Sequence, residues 1–455
     1  MNFPVVEFPW LGNGTVIAIV AIIHVIISHG VAIGATTLMV SLEYVGIKKN
    51  NDGLLAVARK FSKWILILTT TVGAVTGVGI WFTTTVIQPD SIGSLLRIFF
   101  WAWFVEWIVF VTEVVLLIIY YYTWDKWQGA KRVIHNRIGI ALAIFSWITA
   151  AIITGILSAK LTPGKWTDTL SFWNAFFNPT YLPSLAFRTF IAIVLATALI
   201  GLPLKLFMKN KPLQKDIFKV FGLWNAIALP GILLTGVWYL SRIPKEAYDL
   251  IVWSTGMSKS MFSWVNLLGL ATFIVFTVWM ARRPKKVPLI LSLAVFGASI
   301  GFIAEFEAVR ESVRKPFIIY DYMYANGVLA KDVERYQKEG YLANSTFAPV
   351  KEVTADNRYE AGEALYVGQC IACHTVDGWR ERRAFSNRLA GWSEEVIDNY
   401  IGSLHEARPF MPPFAGTEEE RAALAHFLQT VSNGDQQKKD KSTDANKSTE
   451  AKGGE

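Results

Sequence analysis

Cysteine occurs twice in the 455-residue chain, at Cys370 and Cys373, and His374 follows directly. Two thiols at this spacing with an adjacent imidazole form C-x-x-C-H, the attachment signature of a c-type haem. The thiols bond the haem vinyl groups and the His supplies an axial nitrogen. The competing chemistries are a redox C-x-x-C and a zinc site. Zinc needs further well-placed ligands, and only His405 and His426 remain nearby. The pattern therefore predicts one covalent haem c. Its sixth ligand is expected from Met411, in Pro409-Phe410-Met411-Pro412-Pro413, with His405 as the alternative. A thioether opposite an imidazole raises the haem potential and suits electron transfer.

A second set of chemical groups lies in apolar surroundings. His24 and His29 fall in one hydrophobic stretch, five residues apart. That is about 140° around a regular helix, so the rings face different ways and do not readily share one iron. Each is a candidate haem ligand or a hydrogen-bond tie between helices. Glu106 and Glu113 sit seven residues apart, on one helix face about 10 Å from each other. Stacked carboxylates of this kind suggest a proton relay, or else a buried helix tie. The run from Glu305 to Phe317 carries Glu307, Arg310, Glu311, Arg314 and Lys315. Taken alone it reads as an interfacial helix end laced with ion pairs.

These groups need a membrane to position them. The chain is 53% hydrophobic and 18% charged, with a mean hydropathy of +0.35. A soluble domain carries about 25% charged residues. Eight apolar stretches, 15–42, 62–87, 95–122, 134–158, 185–207, 217–240, 262–280 and 287–308, approach or exceed the length that crosses a bilayer. The net charge of +8 suggests nucleic-acid binding only until the chain is divided. Residues 1–317 carry +14 and residues 318–455 carry −6. Eighteen Lys and Arg lie in the odd-numbered connections against seven in the even-numbered ones. The positive-inside rule then puts the N-terminus and the haem-bearing C-terminal module outside the cell. No nucleic acid is expected as a partner; the lipid bilayer is. In this orientation His24, Glu106 and Glu311 fall toward the outer side, and Glu113 lies near the middle of the bilayer.

The expected organisation is a membrane domain over 1–317, a linker over 318–354 and a haem module over 355–432. A polar tail over 433–455, without apolar residues other than Ala, is expected to be disordered. Within the module, Gly362 and Tyr366 fall on a first helix. Thr417-x-x-Glu420 reads as a capping box that opens the last helix. The distance from His374 to Met411 and the proline-framed Met loop resemble small monohaem cytochromes c of class I.

The membrane residues resemble subunit I of the cytochrome bd-type oxidases. That family has a haem-ligating His in its first span, matched by His24. Two Glu in its third span, followed by Gly-Trp-Asp-Arg, are matched by Glu106, Glu113 and Thr123-Trp124-Asp125-Lys126. A late Glu-x-Gly-Arg-Gln-Pro-Trp is matched in spacing by Glu311-Ser-Val-Arg314-Lys315-Pro316-Phe317. The resemblance covers about 10–320. It implies an all-α polytopic bundle of about eight transmembrane helices, with a small all-α cytochrome c domain attached. His24 and Glu311 would ligate two membrane haems, of type b and/or d, at a dioxygen site. Arg314 would meet a haem propionate, and Glu106 and Glu113 would carry protons. A second membrane subunit in a bacterial or archaeal cytoplasmic membrane is implied as well.

Two departures stand out. Where the family's span 5 carries a His for a third, low-spin haem, this chain has Phe187-Arg188-Thr189, and the middle of span 7 has no Met. The long quinol loop after span 6 is reduced to about 241–261. The whole looks like a branch of the family that lacks the quinol loop and takes electrons through a fused cytochrome c, supplied by a soluble cytochrome or another electron-transfer complex. The rival expectation is an electron-transfer subunit without oxygen chemistry, linking quinol and haem c in a larger complex.

Overall fold

A computed structural model describes residues 5–252, 264–378 and 383–433. The tail from 434 and the later part of the connection after span 6 lie outside the described residues. Among the described residues, eight helices are long and apolar enough to cross a membrane. They are α1 (Asn13–Lys49), α2 (Asp52–Ile87), α3 (Phe100–Thr123), α4 (Lys131–Ala159), α5 (Tyr181–Phe207), α6 (Lys211–Leu240), α7 (Trp264–Arg282) and α8 (Leu289–Arg314). α1 runs past 42 to Lys49, and α2 begins at Asp52 rather than 62. Hydropathy fades at Lys48, Lys49, Arg59, Lys60 and Lys63, but Lys and Arg favour helix and reach polar surroundings on long stems. Asn50, left-handed at φ 49°, ends α1. Asn51 caps α2 by accepting the Leu54 N–H at 3.1 Å.

The chain divides into two compact units. One holds Val20–Ile80 and Leu96–Arg314. The other gathers the residues up to Ile19, Trp81–Leu95 and the chain from Lys315 onward. In the first unit α1 is not a regular helix throughout. Ile26–Ala35 winds in wider i→i+5 turns. Within this stretch Gly30 and Gly34 press on α5. A Cβ on Gly34 would strike the Ala192 carbonyl, and one on Gly30 would come within 2.6 Å of Leu199 Cδ1. Glycines four apart let two backbones approach closely in a membrane bundle, where dispersion contacts drive association. Leu38, Met39, Phe218, Phe221 and Phe276 fill the core beside this contact. Met280, at the end of α7, is also packed there.

In the second unit a helix over Arg358–Gln369 crosses the last helix, 418–433. A Cβ on Gly362 would strike the Ala423 carbonyl, so only glycine permits this crossing. The capping box forms as the sequence suggests: the Thr417 N–H donates to Glu420 Oε2 at 3.0 Å and the Glu420 N–H to Thr417 Oγ1 at 3.2 Å.

The stretch expected to serve as a linker, 318–354, is folded onto this module. Phe317–Ile319 pairs antiparallel with Met323–Tyr324. Short helices follow at Val333–Glu339 and Tyr341–Asn344. Tyr341 and Leu342 donate their N–H groups to Glu420, each at 2.8 Å. Val333, Tyr341 and Leu342 share a core with Leu365, Tyr366 and Phe427. The ends of the first two spans join the same unit. The Val6 N–H donates to the Val86 carbonyl at 2.8 Å, and Gln88 and Ser91 donate to the carbonyls of Asn326 and Ala325 at 2.8 and 3.0 Å.

Replacing Gly34 by Ala is expected to destabilise the protein by about 1–3 kcal/mol through overpacking against α5. Gly297→Ala, where nothing lies within 4 Å of a new Cβ, should leave thermal unfolding in detergent unchanged.

Candidate functional site

The helix over Arg358–Gln369 delivers Cys370 at its end, and the chain then turns back. The N–H groups of Cys373 and His374 both donate to the Cys370 carbonyl, at 3.1 and 3.0 Å. This turn puts two free thiols and an imidazole on one short loop. His374 donates from Nδ1 to the Arg383 carbonyl at 3.1 Å, and its ring stacks on Phe385 with centroids 4.7 Å apart. Committing Nδ1 in this way fixes the tautomer and leaves Nε2 available to a metal. Burial pushes the imidazole down to about 4, so it is neutral at physiological pH; burial also pushes the Cys370 thiol up to about 12. Unpaired thiols beside a neutral, oriented imidazole fit the donor set of a haem c.

Met411 lies part-buried on the loop between Arg408 and Phe414. Its N–H donates to the Arg408 carbonyl at 2.8 Å. His405 donates from Nδ1 to the Met411 carbonyl at 2.6 Å, so that ring buttresses the Met loop.

In the membrane unit the two span-1 histidines meet different neighbours. His24 directs Nδ1 at the Gly73 carbonyl, 3.1 Å, and Thr76 Oγ1, 3.2 Å, both on α2. Gly77 leaves room beside the ring, since a Cβ there would lie 3.0 Å from His24 Cε1. His29 has Ser28 Oγ at 3.1 Å from Nδ1, and Arg188 of α5 at 3.5 Å from Nε2. The rings diverge as expected, although the wide turns of Ile26–Ala35 replace the regular helix on which that expectation rested. On α3, Glu113 is 8% exposed and accepts from Ser146 Oγ at 2.7 Å and Thr149 Oγ1 at 3.4 Å, both on α4. Glu106 lies two turns earlier and is half-buried.

At the end of α8 the ion pairs are spaced i,i+3 rather than i,i+4. Glu307 pairs with Arg310, and Arg314 donates to Glu311 at 2.6 Å. Arg314 is 8% exposed but Glu311 is 45% exposed, so the carboxylate stays accessible. Lys160, just beyond α4, adds a further basic group. Burial, with the Arg314 and Arg310 guanidiniums beside it, holds its ammonium well below the usual lysine range. Arg188 also faces Arg310 and Glu307. Three guanidiniums, with Lys160 beside them, thus gather around two carboxylates.

Residues 15–246, more than half of the chain, match the family of cytochrome bd terminal oxidase subunit I. The chain belongs to that family. Residues 357–428 match the family described as cytochrome c oxidase, cbb3-type, subunit III. This bd-family subunit I therefore carries a cytochrome c domain, and it is a haem-binding, multi-pass membrane oxidoreductase of electron transport. The bd oxidase from Geobacillus thermodenitrificans is similar in fold, with a TM-score of 0.55 and 17% identity over 67% of this chain and 87% of that one. A search of the curated proteins returns no match.

One buried cluster of the bd bundle escaped the sequence reading. Glu43 on α1 and His135 on α4 are both fully buried, with His135 Nδ1 2.6 Å from Glu43 Oε1. His135 Nε2 faces the Tyr120 carbonyl at 2.8 Å, so the second ring proton lies between imidazole and carboxylate. Tyr120 donates its hydroxyl to Glu43 Oε2 at 2.8 Å, and Asn136 donates its amide at 3.1 Å. Arg132 stacks over Trp124 at 4.6 Å. The family motif Thr123-Trp124-Asp125-Lys126 anchors the same region, because Arg59 of α2 donates to Asp125 at 2.9 Å. The available signal was His135 at the first turn of the fourth apolar stretch, with Glu43 one residue beyond the first.

Glu43→Ala leaves His135, Tyr120 and Asn136 without their shared acceptor. It should destabilise the bundle by about 3 kcal/mol, read as a lower melting temperature of the purified protein.

Proposed function

We propose that this subunit takes electrons through its own cytochrome c domain and reduces dioxygen to water at a membrane dihaem site held by His24 and Glu311. The observation that carries the proposal is His24: its Nδ1 is committed to α2 and its Nε2 is open, in a chain that also presents a ready haem-attachment loop. His29 was the other candidate, but Ser28 and Arg188 meet both of its ring nitrogens, so we assign the haem to His24.

Cys370 and Cys373 would hold haem c, with His374 and Met411 supplying ligands to its iron; His405 positions Met411. When bound, the haems supply the electron transfer and the binding of dioxygen, and the protein supplies position and charge. Arg314, with Arg310 nearby, gives the positive charge that suits anionic propionates. Glu113, oriented by Ser146 and Thr149, and then Glu106 hold protons drawn toward the site. Glu311, half-exposed beside Arg314, is the second haem ligand. The membrane haems are two in number, of type b and/or d.

Cytochrome c rather than quinol is the electron source on two grounds. α5 presents Arg188 and no His at the third-haem position of the family. In addition, α6 ends at Leu240 and α7 begins at Trp264, so only a short connection stands where the family has its quinol loop. A soluble cytochrome or another electron-transfer complex supplies the haem c domain. The distribution of basic residues supports an extracytoplasmic position for that domain and the N-terminus. A second, bd subunit II-like membrane subunit completes the enzyme.

Anaerobic spectra of the dithionite-reduced protein, with and without carbon monoxide, test the reading. A carbon-monoxide-sensitive membrane haem is expected; if every haem is inert to the gas, the oxidase proposal fails. His24→Ala should remove one membrane haem and leave haem c in place. Unchanged membrane haem content would remove His24 from the ligand set.

A further inference from the structure

The segment that precedes α1 is packed on the haem-attachment loop. Glu7 engages that region with both carboxylate oxygens. The Val376 N–H donates to Oε1 at 2.7 Å and the Tyr366 hydroxyl to Oε2 at 2.9 Å. Asn13, the first residue of α1, is 1% exposed. Its amide donates to the Ile371 carbonyl at 2.6 Å and the His374 carbonyl at 3.4 Å, while its Oδ1 accepts the Phe8 N–H at 2.8 Å. The Tyr366 hydroxyl also lies 3.3 Å from the His374 carbonyl. Between the two anchors the chain passes very close to Gly378. A Cβ there would strike the Pro9 carbonyl, and the φ of +141° is one that glycine tolerates.

The stretch from Cys370 to Gly378 is therefore met at Ile371, His374, Val376 and Gly378 by residues more than 350 positions away in sequence. Neither Glu7 nor Asn13 reaches a thiol or an imidazole nitrogen. Apolar burial does not explain them either, since burying an unpaired carboxylate or amide is unfavourable. Burial pushes the Glu7 carboxyl up from its usual range, although the Tyr366 hydroxyl and the backbone N–H groups of Val376 and Asp377 satisfy it. Groups that hold and polarise a metal ligand from one step away commonly tune the metal. Ferric haem carries one more positive charge than ferrous haem. A nearby carboxylate therefore favours the oxidised form, and an amide N–H turned toward the loop favours the reduced form.

We propose that Glu7 and Asn13 are positioning residues for haem c: they clamp the Cys370–Gly378 loop through its backbone and set the haem potential in opposite senses, Glu7 lowering it and Asn13 raising it. The proposal rests on the assignment of haem c to Cys370, Cys373 and His374.

The test uses the intact, detergent-solubilised protein with its haems. Covalent haem is measured by haemochrome spectra, and the haem c midpoint potential by redox titration. Glu7→Gln keeps the side-chain shape and removes the charge, so the potential should rise. Asn13→Asp keeps the acceptor for Phe8 but loses the donors and adds charge, so the potential should fall. Asn13→Ala, which adds no charge and serves where the Asp variant does not accumulate, should produce a smaller fall. Shifts of opposite sign at normal haem content support the proposal. A segment that only glues the module in place would lower the melting temperature without this pattern. Unmoved potentials, or shifts of one sign in the Glu7 and Asn13 variants, overturn the proposal alone. Absence of covalent haem from the unsubstituted protein overturns the haem assignment and the proposal with it.

Discussion

The membrane offers no hydrogen-bonding partner, and most of this protein follows from that constraint. A polar group in the hydrocarbon must find its partner inside the bundle. The backbone meets the demand by becoming helix. The few ionisable side chains meet it by pairing, across helices for Glu43 with His135 and Glu113 with Ser146, and within α8 for Glu307 with Arg310. His24 obeys the same rule: one ring nitrogen, Nδ1, is spent on α2. The same solution recurs outside the bilayer at His374, where the Arg383 carbonyl occupies Nδ1. A bd bundle and a cytochrome c domain of unrelated fold thus orient an imidazole in the same way, by tying Nδ1 to a backbone carbonyl.

Close backbone approach is the second organising feature. Gly30 and Gly34 let α1 lie against α5, and Gly362 lets the first and last helices of the cytochrome domain cross. In both places an absent side chain brings two rigid elements close enough to fix the direction of a third. α1 then carries His24 and His29 to different neighbours, and the crossing at Gly362 sets where Cys370 emerges.

Much of this was legible in the sequence because the signals were local or periodic. C-x-x-C-H is a local problem solved within one turn of chain, and a run of about twenty apolar residues has few fates. The capping box at Thr417 and Glu420 was also readable, since both partners lie within one helical turn. What was hidden required contacts far apart in sequence. The Glu43–His135 pair joins α1 to α4, and neither residue announces the other. Arg188 was visible as a missing His, but its approach to His29 depends on how α5 packs on α1. The wide turns of Ile26–Ala35 had no visible marker beyond their glycines. The folded state of 318–354 was obscured by its charges, which draw attention away from Val333, Tyr341 and Leu342.

Glu420 gives that last segment a significance beyond packing. A single carboxylate caps the final helix and also receives the backbone of Tyr341 and Leu342. The helix start and the preceding stretch are therefore cooperative through one side chain. The portable piece of this protein is thus longer than a haem-binding sequence profile suggests. A gene fusion or a proteolytic cut made at the boundary of the cytochrome helices would leave Glu420 with two lost donors and the core with an open flank. A cut near residue 317 would keep both donors and that flank, though not the contacts from the segments before α1 and after α2.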